Sequence, residues 1–214
     1  MELTSLPFSQ YRQVAWRNGG GTARDIAVHP AGAGMAETFG WRVALAEIAK
    51  DGPFSYYEPE IERVITLLDG AGFDLDFEVD FDGAPSLAVT EPHEPARFRG
   101  HWPAMCRLRQ GRSIVFNILY DFSRFSAQPH IIRPPVDQPM IFSPPGRQSI
   151  LFNLAGRFEI KADAQQDTKN TTQLAPWDSL QIDLSAGEAP LLSVTARSPE
   201  SRLLLVGFDP VTSQ

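Results

Sequence analysis

A tryptophan, an asparagine and three consecutive glycines form the first stretch whose residue types suggest chemistry. Trp16 offers a broad apolar face with one N–H donor, and Asn18 offers both a donor and an acceptor. The glycines lack Cβ atoms, so the backbone there can turn sharply or approach another group closely. With Gly19 and Gly20, these residues could form one wall of a small polar-ligand pocket. The residues alone favour the simpler alternative, a hairpin turn anchored by Trp16.

An arginine on an otherwise apolar strand face is the second such feature. Arg63 alternates with aliphatic residues in the predicted strand at 61–69. A charge in that position is costly unless it is paired. Arg63 therefore either pairs with a protein carboxylate such as Glu47 or Glu62, or receives the carboxylate of a ligand in bidentate geometry. The sequence favours neither of these two partners for Arg63.

Four more residues complete the predicted ligand site. Arg42 lies between apolar residues in a predicted strand and is the second candidate anion contact. Asn117 shares a strand face with aliphatic residues, so it needs hydrogen-bond partners that a ligand could supply. Phe54 and Ser55 follow a Gly-Pro turn and are expected at the pocket mouth.

The elements that position these side chains are predicted to be strands. Residues 73–82 alternate strictly between apolar and acidic side chains, which places one face on a core and the other in water. Residues 65–75 and 151–160 resemble each other, since both read as strand, glycine turn and strand. Many short strands with Gly and Pro turns favour an all-β fold of two small β-barrels in tandem. A single large β-sandwich is the alternative.

Proline density sets the predicted domain boundaries. Residues 1–128 are predicted to form a first barrel with the ligand pocket, 129–148 a proline-rich connector, and 149–214 a second half that N-terminal strands could complete. Closely spaced prolines disfavour both helices and central strands. Residues 121–128 are expected to form a short helix or an irregular crossing.

Charge and composition narrow the expected partners and location. The net charge is -7 with arginines scattered along the chain, which argues against nucleic acid as a partner. No apolar run approaches the length of a membrane span. A single cysteine, Cys106, and the absence of signal-peptide features make the cytoplasm the expected location. A homodimer is left open.

A series of ordered sequence blocks covers residues 16–22, 39–44, 52–55, 63–70, 98–100 and 108–111, the last running into Phe116 and Asn117. Together these blocks resemble the HutD/Ves family. The resemblance implies a bicupin, with two tandem jelly-roll β-barrels, in a bacterial cytoplasmic protein linked to histidine utilisation. It also implies that the protein senses or moderates that pathway by binding an acidic intermediate such as N-formylglutamate.

The residues argue against the metal site of many cupins, which use a His-x-His pair, a Glu and a later His. The chain has four isolated histidines: His29, His93, His101 and His130. At the place of the first metal motif it has Tyr56, Tyr57 and Glu58. No metal and no cofactor are therefore expected. A ligand-binding protein is favoured, and the alternative is a cofactor-independent hydrolase or isomerase of a small acidic metabolite, for which the sequence nominates no catalytic residue.

Overall fold

A computed structural model describes residues 1–16, 19–33, 38–81, 84–162 and 171–211, with only the backbone considered at 79–81, 84 and 85. Within these ranges the chain folds into strands and one 3-10 turn, Phe8–Gln10. The predicted all-β class is therefore confirmed. Nowhere in the described ranges is there a helix long and apolar enough to cross a bilayer.

The chain divides into two compact units. The central unit is Arg12–Phe125, and the terminal unit combines Met1–Tyr11 with Ser126–Gln214. Strands β1 to β11 are Glu2–Leu6, Arg12–Ala15, Gly21–His29, Trp41–Ile48, Gly52–Phe54, Ile61–Asp69, Phe73–Phe81, Ala84–Val89, Pro95–Arg99, Ala104–Leu108 and Ser113–Asp121. Strands β12 to β19 are Phe125–Ile132, Pro139–Phe142, Gln148–Ala155, Phe158–Ala162, Thr171–Leu174, Ser179–Asp183, Leu192–Ala196 and Arg202–Pro210.

Eight consecutive strands follow the same path in each unit. In the central unit, β4 to β11 form sheets ordered β4-β11-β6-β9 and β5-β10-β7-β8, and β3 and β2 extend the first sheet to six strands. In the terminal unit, β12 to β19 form sheets ordered β12-β19-β14-β17 and β13-β18-β15-β16, with β1 added beside β17. Counted from the first strand of each set, both units have the order 1-8-3-6 and 2-7-4-5. This is a jelly roll, and the chain contains two of them.

The core of each unit lies between its two sheets. On β7, the apolar residues Phe73, Leu75 and Phe77 are 0, 0 and 7% exposed. The two aspartates between them form surface ion pairs with arginines at the end of β10 and just after it. This is the alternation that the sequence predicted. The remainder of the predicted run, residues 79–82, lies outside the described side chains.

The proline-dense stretch contains two strands, β12 and β13, that the sequence did not predict. Both are edge strands of their sheets. A proline at an edge need not break the ladder, because its missing N–H can face away from the neighbouring strand. Pro129 lies in β12 and Pro139 begins β13. The helix or crossing expected at residues 121–128 is wrong where β12 begins, at Phe125.

The glycine stretch forms the hairpin turn between β2 and β3. The N–H of Trp16 donates to the carbonyl of Gly21 at 3.0 Å. Gly19 has a φ of +67°, a left-handed conformation that glycine adopts without strain. A Cβ atom on Gly21 would lie 2.0 Å from the carbonyl oxygen of Glu47. Glycine is therefore needed once for the turn and once for close approach to β4.

Candidate functional site

A cavity of about 680 Å³ lies in the central unit, against the inner face of the six-stranded sheet. Its floor comes from β4, β6 and β11, and further lining comes from β5 and the segment 55–60 that follows it. On β4, the small side chains of Ala44 and Ala46 leave the space open. The volume lies in the range of sites that hold small molecules.

The cavity brings together most of the predicted site residues. Six of them line it: Trp16, Arg42, Phe54, Ser55, Arg63 and Asn117. Gly19 and Gly20 are not among the lining residues, since they belong to the hairpin turn. Asn18 lies outside the described residues.

Arg63 is buried in this cavity with few hydrogen-bond partners. It is 3% exposed. One Nη donates to the carbonyl of Ser55 at 2.9 Å, and the other reaches Oδ1 of Asn117 at a long 3.4 Å. Nε finds no hydrogen-bond partner among the residues that the structure describes. Because a guanidinium has five N–H donors, the protein satisfies only part of this group.

The ion pairs considered for Arg63 from the sequence are not formed. Glu62 instead pairs with Arg97, and Glu47 lies 3.6 Å from Arg112. Among the described residues, no carboxylate forms a salt bridge with Arg63. Its positive charge is therefore left without a counter-charge from the described part of the chain.

Three aromatic rings enclose the guanidinium of Arg63. Its Cζ lies 4.4 Å from the ring centre of Phe54, 5.4 Å from Tyr57 and 5.1 Å from Phe98. A desolvated cation–π contact contributes about 2 kcal/mol, which offsets part of a burial cost of several kcal/mol. Burial lowers the pKa of Arg63 from its ordinary value, while the nearby Tyr57 opposes that shift. The guanidinium stays charged at neutral pH because an arginine pKa starts so high.

Arg42, the second predicted anion contact, already has a counter-charge. Asp25 accepts from its Nε at 3.0 Å and also from an Nη. The other oxygen of Asp25 binds the exposed Arg12 at 2.9 Å. Arg42 and Arg63 both lie beside Leu119, on opposite sides of β11. Their Cα atoms are therefore about 10 Å apart across the sheet, and only Arg63 offers an uncompensated charge.

Asp121 is a lining residue that the sequence analysis did not nominate. It is 9% exposed and follows Asn117 and Leu119 on the same face of β11. Its Oδ1 accepts from the N–H and the hydroxyl of Ser123 at 3.0 and 2.5 Å, and its Oδ2 lies 3.9 Å from Arg124. The period of two along β11 is the signal that could have found it.

The segment after β5 supplies four more lining residues, Tyr56, Tyr57, Glu58 and Glu60. Tyr57 is half-buried and packs edge-on against Phe39, with ring centres 6.4 Å apart. The two glutamates are exposed at the mouth. In the sequence, Tyr57 and Glu58 stand at the place of the first cupin metal motif. That position is the signal that could have identified them as site residues.

The described residues provide neither a cluster of metal ligands nor an activated cysteine. Within the described ranges, no group of three or more His, Cys, Asp or Glu residues is arranged to hold a metal ion. His29 stacks on Trp41, with ring centres 5.8 Å apart. Cys106 is in the core, and burial raises the pKa of its thiol to about 12. A thiolate nucleophile at Cys106 is therefore disfavoured at neutral pH.

Two jelly rolls, one with a cavity of small-molecule size, define a cupin-like protein with a candidate ligand site. The model of the HutD family matches residues 8–199. The chain therefore belongs to the HutD family.

Relatives in sequence are consistent with this assignment. Protein Ves from Cronobacter sakazakii is 35% identical over 118 residues, which cover 54% of this chain and 59% of the relative. An uncharacterized 21.2 kDa protein in the hutC 3′ region of Pseudomonas putida is 33% identical over 127 residues, which cover 59% of this chain and 63% of the relative. The match thus spans less than two thirds of each relative. The second relative links the family to the histidine utilisation region.

Solved structures match the whole chain. HutD from Pseudomonas fluorescens SBW25 has a TM-score of 0.77 and 27% identity, and the match covers 99% of this chain and 100% of that one. A conserved protein of unknown function from Pseudomonas aeruginosa PAO1 has a TM-score of 0.81 and 25% identity over the same shares. A variant of Bacillus subtilis oxalate decarboxylase, with a TM-score of 0.62 and 9% identity over 99% of this chain and 78% of that one, shares the fold alone.

Proposed function

We propose that this protein is a bicupin that binds a small acidic metabolite in the cavity of its central unit, and thereby senses or moderates histidine utilisation. The observation that carries the proposal is the buried guanidinium of Arg63, which lines the cavity without a carboxylate partner among the described residues. A ligand carboxylate would supply the missing counter-charge and accept hydrogen bonds from the guanidinium. An acyl-amino acid such as N-formylglutamate is the type of ligand expected from the link to the histidine utilisation region.

The neighbours of Arg63 fit such a ligand. Ser55 and Asn117 each hold one Nη, which fixes the orientation of the guanidinium before any ligand enters. Trp16 and Phe54 meet edge-on with ring centres 5.9 Å apart and offer apolar surface to a short carbon chain. Preformed geometry of this kind reduces the ordering cost of binding.

Calorimetry of the full chain with N-formylglutamate, formiminoglutamate, urocanate and glutamate tests the proposal. We expect at least one of them to bind more tightly than millimolar. Arg63→Ala should weaken that binding by about 2–5 kcal/mol, because it removes a desolvated charge pair. Arg107→Ala is the matched control, since Arg107 is exposed on the other sheet and does not line the cavity.

Two results would contradict the proposal. One is the absence of binding by all four compounds in the millimolar range. The other is Arg63→Ala binding a ligand as tightly as the unaltered protein. If NMR instead shows a bound compound being consumed without an added cofactor, catalysis replaces sensing as the function of the site.

A further inference from the structure

The cavity contains two buried, opposite charges that do not pair with each other. Arg63 is 3% exposed and Asp121 is 9% exposed, and both line the cavity. Arg63 has no acidic partner in the described part of the chain. The only salt bridge of Asp121 there is a 3.9 Å contact with Arg124, whose side chain is 51% exposed. Solvent therefore weakens the one ion pair that Asp121 makes.

The strand register fixes where these charges lie. On β6 and β11, Ile61 pairs with Asp121 and Arg63 pairs with Leu119. Arg63 is therefore two residues along and one strand across from Asp121, which places their Cα atoms about 8 Å apart. Both side chains line the same cavity.

The other charged residues that line the cavity affect its two ends differently. Glu58 and Glu60 lie at the Asp121 end, since the N–H of Ile61 donates to the carbonyl of Glu58 at 3.0 Å. Both glutamates are exposed, so water and salt screen their charges more than that of Asp121. Arg42, the other cation in the lining, is neutralised by Asp25. The cavity therefore has a positive end at Arg63 and a negative end at Asp121.

We propose that the cavity selects dipolar ligands, with one carboxylate for Arg63 and a cationic or hydrogen-bond-donating nitrogen group for Asp121. The inference rests on the proposed function and narrows it to acids that place a nitrogen group, rather than a second carboxylate, beside Asp121. A carboxylate placed beside Asp121 would meet like charge, which disfavours binding. A nitrogen donor there would complete the hydrogen bonding of Oδ2.

Two probes of matched length separate these possibilities. Both 5-aminopentanoate and glutarate are five-carbon acids, and they differ in having an ammonium or a second carboxylate at the far end. In calorimetry of the full chain at low salt, we expect 5-aminopentanoate to bind about tenfold more tightly than glutarate, because favourable and unfavourable charge contacts act together.

A pair of variants assigns the preference to Asp121. Asp121→Asn keeps an oxygen acceptor for Ser123 but removes the charge, so the preference should fall to about twofold or less. Asp69→Asn is the control: Asp69 lies at the other end of β6, is 56% exposed and does not line the cavity. The control should keep the full preference.

The outcomes distinguish this inference from the proposed function. If glutarate binds as tightly as 5-aminopentanoate and both need Arg63, acid binding stands and the dipolar selection is overturned. A preference that persists unchanged in a folded Asp121→Asn variant also overturns it. If neither probe nor any of the four metabolites binds in the millimolar range, the proposed function fails and this inference fails with it.

Discussion

The two jelly rolls share one strand path but differ in their interiors. Strands β6 and β11 of the central unit occupy the same places in the path as β14 and β19 of the terminal unit. Arg63 and Ser149 each lie seven residues before the glycine that follows their strand. Arg63 pairs with Leu119, and Ser149 pairs with Gly207. At corresponding positions, one unit thus has a buried cation over a cavity and the other has two small residues.

The space above those small residues is filled by the backbone. A Cβ atom on Gly207 would lie 2.8 Å from the amide nitrogen of Gly146 and 2.8 Å from the carbonyl carbon of Pro145. The segment that precedes β14 therefore packs directly on β19. The corresponding segment before β6, residues 55–60, lines the cavity instead. One jelly-roll frame can enclose either a solid core or a cavity, depending on this segment and the residues that face it.

The largest expected loss of stability comes from the packed hydrophobic core that both units have. Phe73 and Phe158 begin corresponding strands and are 0 and 2% exposed. Phe73→Ala and Phe158→Ala should each lower the free energy of unfolding by about 3–5 kcal/mol, because each leaves a void in a packed core. Asp76→Ala, on the outer face of β7, should cost well under about 1 kcal/mol. Denaturant unfolding measures all three, and a small loss for only one of the phenylalanines would show that the cores are not equivalent.

A smaller loss of stability is expected where the interiors differ, at the backbone packed on β19 and at the cavity floor. Gly207→Ala should cost about 1–3 kcal/mol, because the new methyl group meets backbone that cannot move aside cheaply. Ala44→Val adds two methyl groups on the cavity floor and should cost less than about 1 kcal/mol while weakening ligand binding. Thermal denaturation of the two variants compares them directly. Equal losses of stability would mean that the cavity floor is as tightly packed as β19.

The smallest effect concerns the buried cation itself. Arg63→Met should leave the ligand-free protein equally stable or stabilise it by about 1 kcal/mol, because an apolar side chain replaces an uncompensated charge. Ser149→Ala, at the corresponding position, should lower stability by about 1 kcal/mol or less, since it removes the bond from Oγ to the carbonyl of Gly146 at 3.3 Å. A clear fall in melting temperature for Arg63→Met would show that the charge is satisfied without a ligand.

Much of the fold was within reach of the sequence because its signals are local. The alternation along β7 identified the core face of that strand, and the similarity of residues 65–75 to 151–160 pointed to two like units. Strands β12 and β13 were missed because their prolines argued against strand structure, although residues 125–128 of β12 do alternate between apolar and polar side chains. Their pairing partners come from distant parts of the chain, and no local pattern encodes that choice.

The site was only partly predictable for the same reason. Arg63 and Asn117 stand out because each interrupts an apolar strand face. Whether Arg63 has a counter-charge depends on Glu62 and Glu47, and those engage arginines that are remote in sequence. Asp121 was missed because it ends β11, where the strand was expected to give way to a crossing. Gly19 and Gly20 were predicted to form part of the pocket wall, but they belong to the hairpin turn and do not line the cavity.

The pairing of β1 with β17 has a consequence for the order of events during synthesis. Glu2 pairs with Asp183, and the hydroxyl of Tyr11 donates at 2.8 Å to the carbonyl of Trp177, 166 positions away. Strand β1 is therefore synthesised long before its partner β17, and the whole central unit is made between the two. Closing so long a loop is slow and entropically costly. We expect pulse-labelling hydrogen exchange to show β4 to β11 protected before β1, so that the central unit and its cavity form before β1 pairs with β17.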